Sequence, residues 1–112
     1  MTTYIVALTD PRSGCIRLIS RTWTPDLFVA HVVDRAWSGY GASEPLNRWL
    51  RAVTSVSGRV PLLSVLEVRA GGADDGKREE AYHARLAAAD GFDLLNEGAT
   101  VDQASPILRR CA

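Results

Sequence analysis

Two short runs of β-forming apolar residues, Tyr4 to Leu8 and Ile16 to Ser20, flank Asp10-Pro11-Arg12-Ser13-Gly14. That segment offers an Asp where a turn begins, a Pro that fixes φ and a Gly free to take positive φ, so the pattern predicts an antiparallel hairpin. Thr24-Pro25-Asp26 then supplies an N-cap, a first-turn proline and an acid at the positive end of a helix dipole. With apolar Leu27, Phe28, Val32 and Val33 following, a first helix is expected to about Ala36. Trp37 to Glu44, with two glycines and two serines, reads as a loop.

Helical spacing resumes from Pro45 to about Val56, with Leu46, Trp49, Leu50 and Val53 on one face and Asn47, Arg48 and Arg51 on another. Ser57-Gly58 ends it. Val60 to Val68 reads as a third strand with Pro61 near its start, where a missing N–H is tolerable. Gly71 to Gly76 is expected as a flexible acidic link, and Lys77 to Ala89 as the clearest helix, closed by Gly91. Phe92 to Asn96 is a short apolar coda. The order β-β-α-α-β-α predicts an α+β fold, a small three-stranded antiparallel sheet flanked by about three helices. One domain is expected over residues 1–98, with a tail of undefined pattern at 99–112.

Composition narrows the class. A hydrophobic fraction of 46% over 112 residues fits one globular domain and excludes a disordered chain. No stretch approaches the ~18 apolar residues of a membrane helix, and the N-terminal residues lack the basic start of a signal peptide, so a cytoplasmic protein with no membrane partner is expected. Cys15 and Cys111 lack zinc-type spacing and are expected as reduced bystanders. The thirteen basic and thirteen acidic residues balance, which counts against tight DNA binding unless the arginines cluster.

From Tyr4 to about Gly98 the chain is similar to the GIY-YIG nuclease family. The resemblance is carried by Ile5-Val6-Ala7-Leu8-Thr9-Asp10-Pro11-Arg12-Ser13-Gly14 leading to Ile16-Arg17-Leu18-Ile19-Ser20-Arg21-Thr22, then by His31 and by Leu46-Asn47-Arg48-Trp49-Leu50. Gly58, Pro61, Glu80 and Asn96 complete it. Aligned on the hairpin turn, the family's two motif tyrosines fall at Val6 and Leu18, the glycine of its second motif at Ser20 and its arginine at Leu27. The resemblance implies a metal-binding role for Glu80 and assisting roles for His31 and Asn96, with Arg21 where the family often has lysine.

Losing an acid–base group costs about 10²–10⁴ in rate, and losing an electrostatic donor about 10²–10³. Hydrolysis is therefore expected to be lost or strongly attenuated, with no cofactor required. The fold is then retained as a binding module, either for a protein partner or self-association through an apolar dimple at Val6, Leu18 and Leu27, or for DNA through Arg17, Arg21, Arg48 and Arg51. The alternative is an active Mg²⁺- or Mn²⁺-dependent endonuclease with a rearranged site of Tyr4, His31, Glu80 and Asn96. The bland readings make Trp49 core, Glu80 a solvated helix residue, Asn96 a turn residue, and Trp23 and Trp37 packing residues; on the functional reading those two tryptophans line a base-stacking or partner surface.

Overall fold

The computed structural model describes residues 2–38, 44–70 and 76–96. It has the expected α+β order: β1 (Thr2–Asp10), β2 (Cys15–Thr22), α1 (Pro25–Ser38), α2 (Glu44–Ala52), β3 (Leu62–Ala70) and α3 (Lys77–Ala89). The strands form one antiparallel sheet in the order β2-β1-β3.

The central place of β1 explains why its sequence is continuously apolar rather than alternating. Ile5, Val6, Ala7 and Leu8 are all fully buried, because helices cover both faces of this strand. On one face Ile5, Ala7 and Ile19 pack against Ala84 and Ala87 of α3 and against Leu94. On the other, Leu8 and Leu18 pack against Ala36 of α1, Trp49 and Leu50 of α2, and Val53.

The hairpin closes through one carboxylate. Asp10, 5% exposed, accepts hydrogen bonds at Oδ1 from the Arg12 backbone N–H (2.8 Å) and at Oδ2 from Arg12 Nη2 (2.8 Å). The indole Nε1 of Trp49 donates to the same Oδ2 from α2 (3.0 Å), and Gly14, at φ 76°, donates its N–H to the Asp10 carbonyl (2.8 Å). The hydrogen bond from the Arg12 side chain, above all, holds the Asp10 carboxyl at about 2 rather than 3.8; burial opposes it and Trp49 reinforces it. Just beyond the turn the β1–β2 register slips between Leu8 and Thr9, which leaves Arg17 as the extra residue of a bulge. Its guanidinium lies 6.0 Å from the centre of the Trp49 ring.

Several boundaries differ from the sequence reading, each through a long-range contact. α1 takes in Trp37 and Ser38 because α2 and the turn after it hold its end: Arg51 donates to the Ala36 carbonyl (2.9 Å) and Trp37 Nε1 to Thr54 Oγ1 (3.0 Å). The second helix widens after Ala52 into a π turn, Val53–Ser57, closed by Gly58 at φ 68°. β3 starts at Leu62, the partner of Thr9, and runs two residues past Val68 because Thr3 and Thr2 of β1 continue to pair with it. The link at 71–75 and the tail from residue 97 lie outside the described residues.

After α3 the chain returns to the outer edge of β2. Leu95 donates its N–H to the Arg17 carbonyl (2.6 Å), and the Asn96 side chain binds both backbone groups of Ile19. Oδ1 accepts from the Ile19 N–H (2.9 Å), and Nδ2 donates to its carbonyl (2.6 Å). The amide thus completes β2 as a fourth strand would. This return also bears on the cysteines. Cys15 is disulfide-bonded, with its other half outside the described residues, which corrects the expectation of a reduced bystander. The return brings Leu95 to Arg17, two residues along β2 from Cys15.

Two outcomes test these contacts. Because the folded pKa of Asp10 lies below its ordinary value, its contribution is fully present above pH 3.8 and is lost as pH falls through about 2. Asp10→Asn is expected to remove about 2 kcal/mol at neutral pH and to flatten the acid limb, read by urea unfolding against pH. Asn96→Ala is expected to cost about 1–3 kcal/mol and to speed amide exchange at Ile19. Asn96→Asp is expected to be no better, because its second oxygen then faces the Ile19 carbonyl.

Candidate functional site

The sheet determines which candidate residues can meet. Alternation along β1 puts Tyr4 and Val6 on the same face as Leu8, under α1 and α2, and their β2 partners Thr22 and Ser20 lie there too. Arg21 pairs with Ile5 and so lies on the opposite face, under α3. There Arg21 Nε meets Glu80 Oε2 at 3.1 Å, an ion pair in which both side chains are partly exposed.

Gly76 makes that meeting possible. At the N-terminus of α3, with φ 91°, it packs so close to the sheet that a Cβ there would lie 3.1 Å from both Thr3 Cγ2 and Ile5 Cδ1. Glu80 follows one turn later and donates its N–H to the Gly76 carbonyl (2.7 Å). Two further contacts tie α3 to β3: Glu79 to Arg69 (3.4 Å) and His83 to Glu67 (2.9 Å).

His31 and Leu27 lie one turn apart on α1, and both are exposed, on the stripe that faces away from the core. The sheet therefore stands between His31 and Tyr4 on one side and Glu80 on the other. Asn96 sits at the edge with both ends of its amide engaged by Ile19. Of the candidate residues, Arg21 and Glu80 meet, Tyr4 and His31 lie across the sheet from them, and Asn96 is held on the β2 edge by Ile19.

Among the described residues, the donors around Glu80 do not fit a divalent ion. Its carboxylate is paired with a guanidinium, and the adjacent acid, Glu79, is turned to Arg69. A hard dication needs several oxygens free of such competition. Val6 and Leu18 are buried while Leu27 is 51% exposed, so the three positions do not form one open apolar dimple. The expected dimple is absent because α1 and α2 seal that face of the sheet.

The arginines are also dispersed. Arg17 stacks on Trp49, Arg21 binds Glu80 and Arg51 binds the end of α1, while Arg48 is exposed on α2. A cleft of about 300 Å³ lies beside Arg21, lined also by Thr3, Thr22, Trp23 and Thr24, at the small end of the range for ligand sites. Trp49 is buried as expected, and exposed Trp37 is anchored to Thr54.

The sequence reading missed the partners of Glu67 and His83. A lone acid in the apolar run Leu62 to Val68 was the signal for Glu67, since a half-buried carboxylate calls for a partner. No comparable signal marked the clip between Asn96 and Ile19. Among the described residues, no helix is long and apolar enough to cross a membrane. No protein-family model, curated protein or solved structure matches the chain.

Proposed function

We propose that this chain is a binding module on a GIY-YIG-like scaffold, one that engages a protein surface and does not cut phosphodiesters. The observation that carries this reading is the placement of the remaining polar candidates on opposite sides of the sheet, with Glu80 already paired to Arg21. Phosphoryl transfer needs its nucleophile, its charge stabilisation and its metal within a few ångströms of one phosphorus. An acid on one face and a histidine on the other do not supply that.

A protein partner is favoured over nucleic acid by what is exposed. Phosphate binding draws on clustered cations, whereas Arg17, Arg21 and Arg51 are turned to intramolecular partners. Leu62, Val65, Leu66 and Val68 of β3, in contrast, are all exposed. Clustered apolar exposure of this kind marks association surfaces. The disulfide at Cys15 bears on location: disulfides persist where thiols are not kept reduced, so a cytoplasmic placement draws no support from the cysteines.

The test is nicking of supercoiled plasmid with Mg²⁺ or Mn²⁺ at high protein concentration. Wild type and Glu80→Gln are both expected to match the protein-free control. Nicking by the wild type that is lost in Glu80→Gln would overturn the proposal. DNA binding that weakens steeply with salt would shift the partner from protein to nucleic acid.

A further inference from the structure

The sheet has two edges, and the chain treats them differently. At β2 the C-terminal segment occupies the outer backbone groups, with Asn96 on Ile19 and Leu95 on Arg17. At β3, among the described residues, no hydrogen bond is made to the outer edge of the strand. β3 is nine residues long, contains neither lysine nor proline, and exposes Leu62, Val65, Leu66 and Val68. Coverage, charges, bulges, prolines and short edge strands all limit edge-to-edge pairing; β3 has Glu67, Arg69 and a bulge at Leu66, but its outer edge is not covered as that of β2 is.

We propose that β3 is the surface on which a second copy of this chain docks, edge to edge and antiparallel about a two-fold axis, to form a continuous six-stranded sheet. This rests on the binding-module reading and names its partner. Charge selects the partner. The charged residues of β3 are Glu67 and Arg69, one of each sign and two apart, so their side chains share a face. An antiparallel pair centred on Val68 spans residues 66–70 of each copy and leaves Leu62 and Val65 outside the paired stretch. It sets Glu67 of each copy opposite Arg69 of the other, twice, with Val68 against Val68 on the reverse face.

Such opposite-charge cross-strand pairs stabilise a sheet, and the two-fold makes the same patch serve both partners. A uniformly acidic or basic strand would meet one attracting and one repelling charge in place of two attracting ones. Both side chains already have a partner on α3, Glu67 in His83 and Arg69 in Glu79, so the cross-strand pairs are second contacts made by groups that remain partly exposed on that face. The chain's formal charge of zero adds no net repulsion between copies.

Sedimentation velocity of the full chain over a range of concentrations reads the outcome. The wild type is expected to be a dimer. Val68→Lys, at a position 54% exposed and so tolerant of a polar side chain, is expected to weaken it by tenfold or more with an unchanged circular dichroism spectrum. Glu67→Arg and Arg69→Glu are each expected to be monomeric alone and to associate when mixed, because only the mixture restores both cross-strand pairs. A wild-type monomer, a dimer unaffected by Val68→Lys, or variants that fail to associate when mixed would each overturn the interface. So would a monomer whose β3 amides are protected from exchange, since a segment of the same chain would then hold the edge. A monomer that also fails to nick plasmid removes this interface alone, whereas nicking removes the non-hydrolytic reading whatever the oligomeric state.

Discussion

A buried carboxylate must find donors or lose its charge, and Asp10 finds them in two parts of the chain, the turn at Arg12 and Trp49 of α2. Arg12 closes the hairpin around it while Gly14 binds the Asp10 backbone carbonyl, and Trp49 reaches the carboxylate from α2. The turn at one end of the sheet is thereby fixed to the helix that covers one face. With Trp49 held by its indole N–H, its ring becomes the surface on which Arg17 lies, and the bulge that frees Arg17 also turns its carbonyl toward Leu95. The turn, the helix, the bulge and the docked C-terminal segment are thus joined by a chain of contacts that begins at one ionised group.

The local part of this arrangement was legible in the sequence. Asp10, Pro11 and Gly14 specify the hairpin through backbone preferences that act within a few residues, and Lys77 to Ala89 specifies α3 in the same way. The end of α1, the limits of β3 and the role of Asn96 depend on partners 15 or more residues away. Asn is a common turn residue, so its side chain alone does not announce that it will stand in for a strand. Arg51 looked like a surface cation and instead ends a helix.

The candidate site was legible as a list of positions and not as a place. Periodicity reports which residues of one strand share a face; it does not report on which face a distant helix will pack. Tyr4 and Arg21 sit on paired strands, yet odd and even positions send them to opposite sides, and α3 follows Arg21. The three aliphatic positions also differ in kind. Val6 and Leu18 entered the core, where they add packing beneath α1 and α2, whereas Leu27 stayed at the surface and adds apolar exposure.

An acidic and a basic residue at one spacing along a strand have different consequences on the two edges of a sheet. On a covered edge they are ordinary surface charges. On an open edge they specify direction and register for self-pairing, because among the pairings of two copies only one antiparallel register satisfies both at once. Exposed valines and leucines alone would make β3 indiscriminately adhesive, a hazard for any edge strand. Glu67 and Arg69 impose a cost on registers that leave them opposite apolar residues, and α3 holds both on the same face. Specificity here comes from two charges set in an otherwise apolar edge.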